Sequence, residues 1–153
     1  MAGPRVVHGV EGLEALAGQR IGASDWLAIT QDRVDEFAEA TGDHQWIHVD
    51  PERAKAGPFG GPIAHGYLTL SLVSYFLPRV WQVEGFAMGV NYGLERLRFP
   101  APVPVGSRVR LTAELAEVTA VGGGVQVAVD LVIEVDGGAK PALVARGLFR
   151  YAF

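Results

Sequence analysis

Ile63-Ala64-His65-Gly66-Tyr67-Leu68-Thr69-Leu70-Ser71-Leu72-Val73-Ser74-Tyr75-Phe76-Leu77 carries no Asp, Glu, Lys or Arg, and the charge-free run extends from Ala56 to Arg79. Its first part, Gly57-Pro58-Phe59-Gly60-Gly61-Pro62, is a loop by composition, which leaves Ile63 to Leu77 as the helix. A helix apolar on most faces is buried, either in a protein core or in a bilayer. At roughly 15 residues this one is short of the ~20 needed to span a membrane, and it contains His65, Ser71 and Ser74. The expectation is a central helix enclosed by the rest of the chain and ending near Pro78.

What encloses it lies downstream, where the apolar period changes to two. Phe86, Met88, Val90, Tyr92 and Leu94 alternate with small residues, among them Gly89, Asn91 and Gly93. Val109, Leu111, Ala113 and Leu115 alternate with Arg108, Arg110, Thr112 and Glu114. A third run holds Val125, Val127, Val129, Leu131, Ile133 and Val135, and a fourth Leu143, Ala145, Gly147, Phe149 and Tyr151. Gly122-Gly123-Gly124 and Asp136-Gly137-Gly138 are short turn signals, so the last three strands should form an antiparallel meander. The apolar phase of the first strand slips near Glu95–Arg96, where Leu97 and Phe99 take over, as at a bulge. The Pro100–Pro104 cluster separates that strand from the next. The strands are long, at roughly 10–14 residues against a usual 5–6. Long strands twist and curve, and a curved antiparallel sheet can wrap one helix. The fold class is α+β.

Upstream, a short strand is expected around Trp26–Ile29, then a helix from Gln31 to Thr41. Thr30 is its N-cap, Asp32 and Asp35 suit the positive helix end, and Gly42 fits the residue just past its C-terminus. Val34, Phe37, Ala38 and Thr41 share one face. Asp43 to His48 reads as irregular, and Asp50-Pro51-Glu52 as an N-cap with Pro opening a short helix.

The whole chain has 153 residues, which at ~100–200 residues per domain is a single domain, 1–153. With 49% hydrophobic and 20% charged residues it has ample material for a core, and apolar surface left over that points to self-association. A formal charge of −4 gives no electrostatic footprint for nucleic acid. No cysteine is present, so there is no disulfide, thiol nucleophile or sulfur-bound metal. The N-terminus lacks the apolar core of a signal peptide, and a cytoplasmic location is the expectation.

Polar groups set in apolar surroundings are the candidates for chemistry, and Thr41-Gly42-Asp43-His44-Gln45-Trp46-Ile47-His48-Val49-Asp50 is the densest such run. Asp43 and His48 flanking one small pocket could polarise one water, with the imidazole taking or giving its proton. The bland alternative is that Asp43 and Asp50 cap local backbone and His48 packs in the core. His44 and His48 have the spacing of helical zinc ligands, but Gly42 argues against a helix there and no third ligand is evident. Gly66, at the entry of the buried helix, offers a backbone N–H for a carbonyl and no Cβ to obstruct it; close packing is its alternative role. His65 would be a supporting or surface residue. Ser71 and Ser74 could serve as nucleophiles with His48 and Asp43, but no G-x-S-x-G elbow is present, and mid-helix serines usually bond back to the preceding turn. Asn91 could be a buried polar group or touch substrate. Gly122–Gly124 lacks the spacing and lysine of a phosphate loop. Arg96, Arg98, Arg108, Arg110, Lys140 and Arg146 are candidates for anionic contacts, most of them expected on solvated faces.

Together these residues resemble a known pattern. Phe37, then Thr41-Gly42-Asp43, His48 and Ala54, followed by Gly61-Pro62-Ile63-Ala64-His65-Gly66, is similar to the hydratase-2 signature of the MaoC-like dehydratases, which are hot-dog (R)-specific enoyl-CoA hydratases. Arg98-Phe99-Pro100-Ala101-Pro102-Val103 with Gly106 resembles the strand and turn after that family's central helix, so the likeness runs from about Thr30 to the end. The resemblance implies a hot-dog fold, a curved antiparallel sheet wrapped around a long central helix. It implies that Asp43 and His48 activate a water that adds to a trans-2-enoyl-CoA, giving an (R)-3-hydroxyacyl-CoA, or the reverse dehydration. It implies Gly66 and Ser74 as substrate-binding residues, no metal and no cofactor beyond the CoA of the substrate, and a homodimer or higher homo-oligomer. The family often has Asn-Pro between the Asp and the His where this chain has Gln45-Trp46, so Trp46 is expected to reshape the acyl pocket. A thioesterase on the same fold and a non-catalytic acyl-CoA-binding module are the competing readings. The first needs a carboxylate or water aimed at C1, and the second needs neither Asp43 nor His48.

Overall fold

The computed structural model describes residues 3–153. In chain order the elements are β1 (Arg5–His8), α1 (Gly9–Leu16), β2 (Gln19–Ala23), β3 (Leu27–Ala28), α2 (Gln31–Thr41), α3 (Trp46–Val49), α4 (Pro51–Lys55), α5 (Gly66–Ser71), α6 (Val73–Val80), β4 (Trp81–Glu84), β5 (Met88–Arg98), β6 (Arg108–Val121), β7 (Gly124–Val135) and β8 (Leu143–Ala152). The main sheet runs β2-β6-β7-β8-β5, with β3 also paired to β6, while β1 and β4 form a separate parallel pair. The meander expected from the two glycine turns is β6-β7-β8, antiparallel throughout, and Gly123 and Gly137 both take the left-handed conformation in its turns. β5 breaks register between Glu95 and Arg98, where Arg96 has φ 56°, so the phase slip is a bulge.

The central helix is present, but as two segments. It starts at Gly66 rather than Ile63, because Ile63 and Ala64 are drawn out between Ile47 and Val103 by backbone hydrogen bonds of 3.0 and 2.8 Å. At Leu72 the chain stays right-handed, but the turn tightens: the Tyr75 N–H donates to the Leu72 carbonyl three residues back. The helix then runs past Pro78 to Val80. Proline has no N–H, so Pro78 leaves the Ser74 carbonyl without its intrahelical donor. Ser71 Oγ donates to the Leu68 carbonyl at 2.9 Å, the ordinary return to the preceding turn.

Leu68, Leu72, Phe76, Leu77 and Val80 from this helix pack with Leu111, Leu115, Val127, Val129, Leu131 and Ile133 of the sheet in one core. The opposite face of the sheet carries cross-strand ion pairs, Arg108–Asp136, Arg110–Glu134 and Arg146–Asp130. Three of the six basic residues singled out from the sequence are thus paired on the outer face. No helix among the described residues is long and apolar enough to cross a membrane.

Four elements lay outside the sequence expectations: β1, α1, β2 and β4. α3 corrects the irregular reading of Asp43 to His48, since Trp46–Val49 is a single helical turn. β5 also departs from them, as it is the sheet edge and leaves Met88, Val90, Tyr92 and Leu94 exposed.

Candidate active site

Asp43 is placed by the way α2 ends. Thr30 caps the start of that helix by accepting from the Arg33 N–H, and Gly42 ends it in the left-handed conformation at φ 78°. The chain reverses there, and Asp43 emerges exposed, its N–H 3.4 Å from Thr41 Oγ1 and a carboxylate oxygen accepting from the Gln45 N–H at 3.3 Å. The local capping role is therefore real, and it still leaves the carboxyl free to make further contacts.

His48 comes from α3 and is 6% exposed. Its Nδ1 lies 2.6 Å from the carbonyl oxygen of Ile63, and a carbonyl only accepts, so Nδ1 carries the proton. Nε2 is then the unprotonated nitrogen, with a lone pair available to a substrate or water. Burial holds the imidazole below its ordinary value of 6.5, against the opposing hydrogen bond to Ile63 and the charge of Asp43. Gln31, at the start of α2, donates to the His48 carbonyl at 2.8 Å and ties α3 to α2.

A third group joins them. His65 is 2% exposed, and its Nε2 lies 2.9 Å from the Asp43 carbonyl oxygen. A carboxylate oxygen of Asp43 and one ring nitrogen each of His48 and His65 all lie within 4.8 Å of one another. Two hydrogen bonds of about 2.8 Å through one water bridge roughly 5.5 Å, so the carboxyl and the imidazole are spaced to share a single water. As a metal cage the trio is poorly disposed. The His48 and His65 rings are stacked, 24° from parallel, and their in-plane lone pairs run alongside rather than converge. His44, the other histidine considered as a ligand, faces Glu39 at 3.4 Å and is exposed.

Gly66 opens α5 directly after His65, so the structure brings Asp43, His48 and Gly66 to one place. The ring of Phe99 covers one side of Gly66, and a Cβ there would meet it at 3.2 Å. Ser74 is not part of that group, being eight residues and about 12 Å further along the helix. It lines a cleft of about 600 Å³ with Phe37, Thr41, Leu70, Asn91 and Phe149. The cleft runs from Phe37 and Thr41 near the end of α2 to β5, and Asp43, His48 and Gly66 are not among the residues that line it.

Residues 13–136 match the family model described as MaoC like domain. The chain belongs to the MaoC-like domain family. A 3-hydroxyacyl-thioester dehydratase Z of Mycobacterium tuberculosis is 55% identical over 148 residues, covering 96% of this chain and 98% of that relative. Nodulation protein N of Rhizobium leguminosarum bv. viciae is 46% identical over 134 residues, with 84% of this chain and 81% of that one covered. Among solved structures, the (R)-hydratase from A. caviae superposes with a TM-score of 0.72 at 26% identity, over 87% of this chain and 94% of that one. The hot-dog fold expected from the sequence is the fold of this MaoC-like domain.

His65, expected as a supporting or surface residue, is not at the surface: it is buried against His48 and bonded to the Asp43 carbonyl, and its signal in the sequence was only its place in the Pro62–Gly66 motif. Trp46 does not reshape the cleft: it packs against Gly57 and lies under the Arg53 guanidinium, 4.4 Å from its ring centre. Asp50 caps α4 by accepting from the Arg53 N–H, which starts that helix directly after α3 and brings Arg53 over the half-buried Trp46 ring.

Proposed function

We propose that this MaoC-like domain adds water to trans-2-enoyl thioesters to give (R)-3-hydroxyacyl thioesters, or runs the reverse dehydration, through Asp43 and His48. The observation that carries the reading is His48 itself: its Nδ1 bond to Ile63 leaves Nε2 as the base, and one of its ring nitrogens lies within 4.8 Å of an Asp43 carboxylate oxygen, close enough for one water between the two side chains. The thioester carbonyl makes C3 electrophilic, so no metal or redox cofactor is required. The water oxygen bonds to C3 as the C2–C3 double bond opens, and its proton passes to His48 Nε2. C2 takes up on the same face the proton held by His48, with the Asp43 carboxyl orienting the water and assisting the delivery, so one water is consumed and both side chains end in the protonation states in which they began. The Gly66 N–H receives the thioester oxygen as enolate charge develops, a role often worth ~3 kcal/mol. Ser74 contacts the acyl chain in the cleft between the helix and β5.

The acyl group arrives as a CoA thioester, and we assign the protein to the cytoplasm. Two copies pair along β5, where Met88, Val90, Tyr92 and Leu94 are 58%, 44%, 56% and 44% exposed on a strand with one open edge.

Crotonyl-CoA tests the reading. Loss of the conjugated-enoyl absorbance without free thiol, with an (R)-product on chiral analysis, is the expected result. Thiol release would make the protein a thioesterase, and an (S)-product would contradict the proposed face. Asp43→Asn and His48→Ala should each lower kcat by about 10²–10⁴-fold while acyl-CoA still binds. Unchanged turnover in both would overturn the assignment.

A further inference from the structure

We infer that His65 is a positioning residue for the Asp43–His48 pair, fixing the main chain of Asp43 through a hydrogen bond and backing the His48 ring with its own. The inference rests on the reading of that pair given above. His65 stands at the N-cap of α5, yet its side chain caps nothing there. It reaches instead across 22 residues of sequence to the Asp43 carbonyl, which as an acceptor fixes the proton on His65 Nε2. Nδ1 is then an acceptor, and it is buried without a hydrogen-bond partner among the described residues. An unmet buried polar atom costs stability, and a phenyl ring would fill the same space without one. Packing alone does not account for a histidine at this position.

The ring faces explain it. His65 lies against His48 with centroids 3.9 Å apart, and Phe37 of α2 packs on it at 5.0 Å, tilted by 57°. The His48 imidazole is thus held at one edge by Ile63 and on one face by His65. Asp43 follows the left-handed Gly42 and is exposed, and its other main-chain bond is the long one to Thr41. The 2.9 Å bond from His65 is the shorter of the two. One side chain therefore sets the spacing of both groups.

Three substitutions separate the two contacts. His65→Ala removes both, His65→Gln keeps an amide donor for the Asp43 carbonyl, and His65→Phe keeps a ring against His48. Steady-state kinetics on crotonyl-CoA and thermal melting are measured for each, with Asp43→Asn and His48→Ala alongside. The expected result for Ala is a kcat lower by about 100-fold with KM changed by less than about 3-fold, as a misplacement of order 1 Å produces. Gln and Phe should each recover a part of that loss. If Ala does not fold, the same comparison is made on Gln and Phe, which should each lose kcat at a melting temperature near that of the unaltered protein. Folded His65 variants with full kcat, or variants that lose only melting temperature or KM, overturn the role. A kcat loss recovered by neither Gln nor Phe overturns it as well. Full turnover in Asp43→Asn and His48→Ala would instead remove the pair's assignment, and the role of His65 with it.

Discussion

His48 Nδ1 and the carbonyl oxygen of Ile63, separated by 15 residues of sequence, are 2.6 Å apart. The contact decides which nitrogen of the imidazole can act as a base, and it is made by the strand-like segment that delays the start of the central helix. The chemistry at His48 and the entry angle of α5 are thus consequences of the same backbone path.

Burial of His48 sets a pH dependence. The buried ring takes its proton only below the ordinary 6.5, whereas the unfolded chain takes it near 6.5. Between those values the unfolded state holds more protons, so stability is present above pH 6.5 and declines as pH falls through the folded value. The acid limb of kcat/KM should likewise have its midpoint below 6.5. A pH–rate profile and denaturant melts at matched pH values check both, and a midpoint above 6.5 would contradict the buried neutral base.

Gly66→Ala should impair turnover more than folding. Its Cβ would meet the Phe99 ring at 3.2 Å, so the ring must give by a few tenths of an ångström, which an exposed phenyl can do. Displacing Phe99 would shift the wall beside the N–H that receives the thioester oxygen in the proposed reaction. A fall in kcat of about 10-fold or more with a nearly unchanged melting temperature is the expected outcome.

Phe76 is the largest fully buried side chain, at 0% exposed, and lies where α6 meets the sheet. Phe76→Ala should cost about 3–5 kcal/mol in urea unfolding, the usual range for an emptied aromatic site in a core. A loss below ~1 kcal/mol would mean that the helix is not enclosed as described.

Val90→Lys places a charge on the exposed apolar edge of β5. If two copies pair there, sedimentation should show a shift from dimer to monomer, since lysine on an open edge opposes strand addition. An unchanged dimer would move the interface elsewhere.

Local signals were legible in the sequence because local physics sets them. Thr30, Gly42, Asp50 and Pro51 punctuate α2 and α4 where capping chemistry requires, and the period-two runs became β5 to β8. The slip at Glu95–Arg96 became a bulge. Residues 5–23 gave no expectation, and β1 takes its partner, β4, from far along the chain. α3 was missed because a single helical turn offers no period to detect.

The sequence by itself determined the alternation of apolar residues, the caps and turns, and the Asp43 and His48 pattern, since each depends on neighbours a few positions apart. Only the tertiary structure decided that His65 stacks on His48 and bonds to Asp43, that Trp46 packs on Gly57 beneath Arg53, and that the apolar side chains of β5 face solvent. Those contacts join residues far apart in the chain or depend on a strand's place in the sheet. They are fixed by how the helix and sheet pack, which no short window of sequence encodes.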